Sequence, residues 1–343
     1  MARNIPGSGL RQLRRGLHLC LIGLGLCIAD ASAALTRIEP YQGTAPLPDR
    51  SEASQDGAFA AALRAVLVKV TGHRTADQDP ALAPLVSNAR RYVQQYRTAP
   101  DNQILVTFDS AAIDRWLTQN NQPLWGRDRP VTVVWLAVQT GPQTGTLVTA
   151  EDTSSEIKTA IDAAAMLRGA PVVWPSAADV QRNHLDYAGI AGASAGTLAD
   201  LAHRLGGDGT LVGRANAPTN AAVVRWTFIY PDHGGEFSGA PAEGVNRAAD
   251  TYAELYAVTG ALAPVDIEVA GIVDLKAYAA VQSYLESLTF VSRADVESLS
   301  GDTVRFRLTT RGGAESLHAI AVGGRLQPIA AGENGIQRFQ LTR

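Results

Sequence analysis

Arg127-Asp128-Arg129-Pro130-Val131-Thr132-Val133-Val134-Trp135-Leu136-Ala137-Val138 is the stretch on which the fold of this 343-residue chain turns. Pro130 forbids continuation of any helix that precedes it and biases Arg129 toward extended backbone. Val131 to Val138 then forms a continuous apolar run. A strand with one wet face alternates apolar and polar residues, whereas a continuous run marks a strand covered on both faces, as in α/β sheets. The stretch therefore closes one module and opens a second.

Upstream, residues 34–128 read as an α/β module. A strand is expected near Leu35 to Tyr41, followed by a turn-rich Gly43 to Pro48. Ser51 is placed to cap a helix with Phe59, Leu63, Val66, Leu67 and Val70 on one face, and Gly72 to end it. A short helical stretch around Ala81 to Ala89 leads to two strand-like runs, Arg91 to Thr98 and Gln103 to Phe108, separated by Ala99-Pro100-Asp101-Asn102. Asp109 or Ser110 caps a further helix carrying Ile113, Trp116 and Leu117.

Downstream, residues 129–262 read as a middle module. Gly141 to Asp152 is expected as a polar loop, Ser154 or Ser155 as the cap of a helix to Leu167, and Ala170 to Trp174 as a short buried strand. The low-complexity Ala188 to Thr197 precedes a helix from Leu198 to Leu205. Strands follow at Thr210 to Gly213, Ala222 to Tyr230 and Glu236 to Ser238, the last two joined through Pro231 to Gly235, before a helix from Ala242 to Val258. Residues 264–343 form a third unit of βαββαβ order, with Val304, Phe306 and Leu308 alternating against Arg305, Arg307 and Thr309. The fold class is α/β in the wide sense (α+β), three small modules of mixed or antiparallel sheet with helices.

The first 33 residues have the order of an export signal. Arg3, Arg11, Arg14 and Arg15 precede an apolar run from Leu17 to Ala29, and Ala31-Ser32-Ala33 is a small-residue cleavage site. The apolar run falls short of the ~20 residues a spanning helix needs, so cleavage near Ala33 and a periplasmic location are expected, with no integral membrane segment afterwards. Both cysteines, Cys20 and Cys27, lie inside this segment, which leaves the rest of the chain without a disulfide, thiol nucleophile or thiolate metal site. Acylation at Cys27 is disfavoured by the bulky Leu26 before it. Cleavage takes four of the 30 basic and one of the 33 acidic residues and leaves a net charge of −6. No polybasic stretch offers a surface for phosphate backbones, so nucleic acid is not an expected partner.

Few residues form a catalytic pattern. Gly192-Ala193-Ser194-Ala195-Gly196 matches the G-x-S-x-G elbow of serine hydrolases, but the elbow needs a strand before the serine, and Leu185 to Ile190 is a poor one. His73, His184, His203, His233 and His318 include no pair at the i, i+4 spacing of helix-borne metal ligands. No phosphate-cradling or dinucleotide glycine pattern is present, so neither cofactor nor metal is called for.

The densest informative residues are aromatic and basic. Tyr92-Val93-Gln94-Gln95-Tyr96-Arg97 places Tyr92, Gln94 and Tyr96 on one face of a strand, and Pro123-Leu124-Trp125-Gly126-Arg127-Asp128-Arg129-Pro130 is a rigid aromatic-basic junction. With Val66 to Arg74 and Val134 to Val138, these runs resemble the exported Gram-negative family known as domain of unknown function 2066, from about Ile38 into the middle module. That resemblance implies an envelope compartment and no assigned activity. The element order of the middle module resembles the amino-terminal domain of the Tol-system propeller protein and the outer-membrane activators of penicillin-binding proteins, with Gly207 to Arg214 as the central strand. The third unit is ferredoxin-like.

Two roles are open for Trp125, Arg127 and Arg129. The tryptophan can seal a core edge while an arginine fork meets a carboxylate such as Asp109 or Asp114, docking the modules. Alternatively the cluster is an exposed partner site, since Trp, Tyr and Arg dominate interface energetics. Trp125, Arg127, Arg129, Tyr92 and Tyr96 are the candidate site residues, and docking is the preferred role of the junction. The expected function is a non-enzymatic assembly or interaction factor binding envelope proteins. The rivals are a hydrolase using Ser194 and a small-ligand binder between modules.

Overall fold

The computed structural model describes residues 36–142, 144–288, 290–322, 325–332 and 335–342, so the expected signal at residues 1–33 lies outside the described residues. The chain enters through β1 (Thr36–Arg37) and β2 (Gln42–Pro46). β2 occupies the stretch expected as a turn. Its Gly43 admits the close approach of α1 (Glu52–Thr71), since a Cβ there would lie 2.3 Å from the Ala62 carbonyl oxygen. Turn-forming composition thus serves tight helix-on-strand packing. α1 begins and ends where its caps require: the Ser51 side chain accepts from the Ser54 N–H, and Gly72 takes a φ of 74° with its N–H on the Val68 carbonyl.

Residues 76–92 wrap the helix in three 3₁₀ turns and the single-turn α2 (Ala83–Val86). β3 (Val93–Ala99) and β4 (Gln103–Phe108) form a hairpin whose tip holds Asp101 and Asn102 at φ 57° and 53°. α3 (Ser110–Gln119) follows, capped by Asp109. The sheet order is β2-β4-β3, and its inner face meets α1 in a core of Phe59, Leu63, Leu67, Ile104, Val106 and Phe108.

β5 (Asp128–Arg129) pairs antiparallel with β1, so the expected boundary between residues 128 and 129 falls inside a strand that ties back to the chain's start. β6 (Thr132–Gln139) is an interior strand of the middle sheet, paired on both sides. It carries two cores. Val134, Leu136 and Val138 face one cluster, while Val133, Trp135 and Ala137 face another, which is why the run is continuously apolar.

β7 (Gly145–Val148) lies in the stretch expected as a polar loop and pairs with the second half of β6, Leu136 opposite Val148. α4 (Glu156–Arg168) is capped by Ser155 and terminated by Gly169 at φ 60°. β8 (Val172–Val173) runs parallel to the start of β6. α5 (Ala177–Arg182), α6 (Tyr187–Gly192) and α7 (Ala195–Arg204) come next. α6 forms within Ala/Gly-rich sequence because Asp186 caps it and Ile190 is buried in the Trp135 core.

β9 (Gly209–Ala215) runs parallel to β6, and β10 (Val224–Tyr230) and β11 (His233–Gly239) complete the order β11-β10-β9-β6-β7. Tyr230 pairs with His233, so the turn is the two residues Pro231 and Asp232, shorter than the five expected. α8 (Pro241–Tyr256) closes the unit over the sheet's first core.

The third sheet comprises β12 (Leu262–Ala270), α9 (Leu275–Ser287), β13 (Val291–Ser300), β14 (Thr303–Arg311), α10 (His318–Val322), β15 (Leu326–Ile329) and β16 (Gln337–Leu341). Pro264 sits within β12, in the part that β16 does not cover, where a missing N–H leaves no ladder unmade. The order β13-β14-β12-β16-β15 departs from a four-stranded split βαβ by one strand. β15 is the extra strand, and it lets β16 return parallel to β12, where four strands would require an antiparallel pair. The architecture is mixed α/β of the α+β kind, and among the described residues no helix is long and apolar enough to cross a membrane.

Candidate functional site

Gly72, Trp125, Arg129 and Arg168 meet at the carboxyl end of α1. The last carbonyls of a helix have no partner within it and carry the negative end of its dipole. Here they are met from outside the first sheet. The Trp125 backbone N–H donates to the Val70 carbonyl at 2.6 Å, and Arg129 Nη2 to the carbonyls of Lys69 and Trp125 at 2.9 and 3.1 Å. Arg168 Nη2 donates to the Gly72 carbonyl at 2.8 Å and to Asp250 Oδ1 at 2.7 Å. The backbone of Leu124 exchanges hydrogen bonds of 2.9 and 3.1 Å with Val258, stitching the junction to the chain after α8.

Trp125 is 1% exposed and Arg129 fully buried, with the guanidinium 3.5 Å from the indole ring centroid. A cation held over an aromatic face in a desolvated site gains from the ring quadrupole. Burial pushes the Arg129 guanidinium well below its ordinary range, and Arg168 acts in the same direction, while Tyr41 and Asp128 oppose them. Gly72 completes the fit: a Cβ there would lie 2.4 Å from the Ala253 Cβ and 3.1 Å from the Trp125 ring.

The arginine fork finds other partners than the carboxylates expected. Arg127 Nη1 reaches both oxygens of Glu39, at 2.8 and 3.0 Å, with its guanidinium 5.2 Å from the Tyr41 ring centroid. Asp109 is committed to the cap of α3, and Asp114 accepts from the Tyr41 hydroxyl. Burial raises Asp114 against the pull of that hydrogen bond and of Arg311 and Arg127. Arg311, on β14, also donates to Thr118 Oγ1 on α3, which joins the third sheet to the first unit.

Tyr92 and Tyr96 do not share a strand face. Tyr92 belongs to the 3₁₀ turn before β3, and the register shift between Val93 and Gln95 leaves Gln94 in a bulge. Tyr92 is partly buried against the first core. Tyr96 is 54% exposed and meets Phe59 edge-on, with centroids 5.2 Å apart. β3 is an edge strand with its outer side open.

Ser194 stands at the N-cap of α7. Its hydroxyl accepts from the Thr197 N–H at 3.2 Å and shares a 2.9 Å hydrogen bond with the Thr197 hydroxyl. The element before it is α6, where an elbow needs a strand. Among the described residues no group of three or more His, Cys, Asp or Glu side chains is placed to hold a metal ion. A surface recess of about 290 Å³ lies beside the junction, lined by Ile38, Lys69, Ala165, Met166 and Val172 among others.

Sequence reasoning missed Arg168. Its signal is legible, since Ile157, Ile161, Ala165 and Arg168 fall on one buried stripe of α4. A charge on an apolar stripe marks a buried pair or cap.

Residues 34–126 match a family model described as Domain of unknown function (DUF8605). This corrects the resemblance to domain of unknown function 2066, a different family of unknown function. The runs that carried it, around Tyr92 to Arg97 and Trp125 to Pro130, are a bulged edge strand and a stacked helix cap, packing devices that unrelated chains can share. No curated protein matches the chain. Among solved structures, a dodecamer of a PelC point variant from Paraburkholderia phytofirmans is 13% identical over 36% of this chain and 82% of that one, with a TM-score of 0.17, which is too loose a superposition to carry an argument.

Proposed function

We propose that the chain is an exported, non-enzymatic interaction or assembly factor of the cell envelope. The observation that carries this reading is how its aromatic and basic residues divide. Trp125 and Arg129 are spent inside the molecule on the end of α1, while Tyr96 stands more than half exposed on an open strand. Exposed aromatic residues beside arginines have the composition of binding surfaces. The use of Ser194 as a helix cap supports the non-enzymatic part, because a hydroxyl shared with Thr197 is oriented along its own helix.

The test is site-specific photo-crosslinking in intact envelopes. The photoreactive residue is placed at Tyr96, at Leu299 on β13, which is 68% exposed, and at buried Trp135 as a control. A discrete adduct from a surface position and none from Trp135 is expected. No adduct from either surface position would count against an interaction role. The recess beside Lys69 and Met166 keeps a small-ligand reading in view, its mostly apolar lining with Lys69, Glu39 and Thr36 as polar groups being the observation that favours it.

A further inference from the structure

We infer that the outer edge of β3 is a docking site for an extended segment whose residues alternate between apolar and acidic, added as a fourth strand to the first sheet. The inference rests on the interaction reading above and names its site and partner chemistry. Strand addition needs an edge with free backbone groups and no device against pairing.

The other edges of the three larger sheets carry such devices, β7 by being only four residues long. β13 has two register shifts and holds Arg293, Asp295 and Glu297 within five residues. β11 contains three glycines, β15 has four residues with Pro328 among them, and β2 ends in Pro46 with Gly43 pressed under α1. β3 has its bulge at the start, then Gln95 to Ala99 in unbroken register with β4 and without Gly, Pro or acidic residues. Among the described residues, no hydrogen bond closes its outer side.

Side-chain placement gives the partner's chemistry. Tyr96 leans over Phe59 on the α1 side of the sheet, so a residue opposite it on an added strand meets an aromatic wall. Arg97 lies one residue on and therefore on the opposite face. Among the described residues, no carboxylate pairs with Arg97 or with the exposed Arg91 before the strand, whereas nearby Arg90 is engaged by Asp56. An incoming strand with apolar residues on one face and Asp or Glu on the other satisfies both. A basic segment meets like charge at Arg97.

The test titrates the purified protein into fluorescein-labelled octapeptides, one alternating valine and glutamate and the other valine and lysine, followed by anisotropy. The chain's formal charge of −3 favours the lysine peptide by long-range attraction, so the opposite preference reports the local site. The glutamate peptide is expected to bind about tenfold tighter, Arg97→Glu to reverse the order, and Tyr96→Ser to weaken binding several-fold with only a small loss of thermal stability from the Phe59 contact. Hydrogen exchange should slow at residues 95–99 and stay unchanged on β13. Equal affinity for both peptides, an Arg97→Glu variant with unaltered preference, or protection on β13 in place of β3 would each overturn the assignment. If the assignment fails while Leu299 still cross-links in envelopes, the interaction role stands and only this site falls. If no surface position cross-links either, both fall together.

Discussion

Trp125→Ala tests whether the junction docks the sheets. The indole is 1% exposed, touches the position where Gly72 would carry a Cβ, and lies under a guanidinium at 3.5 Å. Truncating a buried aromatic costs about 3–5 kcal/mol through lost transfer energy and the cavity left behind. Loss of the stack adds about 1–2 kcal/mol, because the Arg129 charge stays buried without the ring. Set against a domain stability of about 5–15 kcal/mol, a loss near 5 kcal/mol is severe. At roughly 2–4 °C per kcal/mol for a unit of this size, the melting temperature should fall by about 10 °C or more. The assay is thermal and urea unfolding followed by circular dichroism on wild type, Trp125→Ala, Arg129→Met and the double variant. A coupling energy of about 1–2 kcal/mol between the two sites is expected from the stack. A melting temperature unchanged within about 2 °C, together with loss of the cross-linked partner, would refute docking and make the junction a binding site.

Export predicts that mass analysis of the protein from intact cells finds an amino terminus at Ala34 or Leu35 without lipid, and an acylated Cys27 or a retained Met1 contradicts it. The purified protein should not be labelled by a fluorophosphonate probe, and Ser194→Ala should cost about 1 kcal/mol as a lost helix cap; labelling that Ser194→Ala abolishes would reinstate the hydrolase reading. Burial raises the carboxyls of Asp114, Asp128 and Asp208 above the ordinary range. For a group raised in the folded state, the protonated form favours folding. Its stabilisation is complete below the unfolded value near about 4 and is lost as pH climbs through the higher folded value. Unfolding free energy should therefore fall as pH rises above about 4, and Asp208→Asn should reduce that slope; an unchanged slope in the variant removes Asp208 from the account.

Periodicity made most elements legible. The stripe Phe59, Leu63, Val66, Leu67 and Val70 with caps at Ser51 and Gly72 fixes α1 almost to the residue, because helix ends are written locally in cap chemistry. β2 and β7 were not legible, since both are edge strands of four or five residues whose partners lie elsewhere in the sequence, Thr107 for Gln42 and Leu136 for Val148. Pairing decides such segments, and composition does not. The same limit applies at the junction. That Trp125 and Arg129 matter is readable from their type and spacing. That they serve the carbonyls of α1, more than 50 residues upstream, is a long-range fact no local pattern carries. Tyr96 misled by spacing because a single bulge at Gln94 breaks the period of two.

The helix end also explains why two arginines are buried with so little carboxylate to balance them. Among the described residues, Arg129 has none within bonding distance, and Arg168 has only the half-exposed Asp250. A bare buried charge is strongly unfavourable, but both guanidiniums lie at the negative end of a 20-residue helix and donate to its orphan carbonyls. Arginine suits this place because its planar, weakly hydrated head can stack on Trp125 and donate in its own plane, which a lysine ammonium cannot do. One consequence concerns the segment matched by the family model, residues 34–126. It ends after Trp125 and before Arg129, so it contains the helix end and one of its three external donors. Expressed alone, it leaves the Lys69 and Gly72 carbonyls to water and uncovers the Trp125 ring. Its α1 terminus should exchange amide hydrogens far faster than in the whole chain, while the Phe59 core remains protected. Equal protection of residues 68–72 in fragment and whole chain would show that the first sheet completes its own helix end and that the buried arginines serve another purpose.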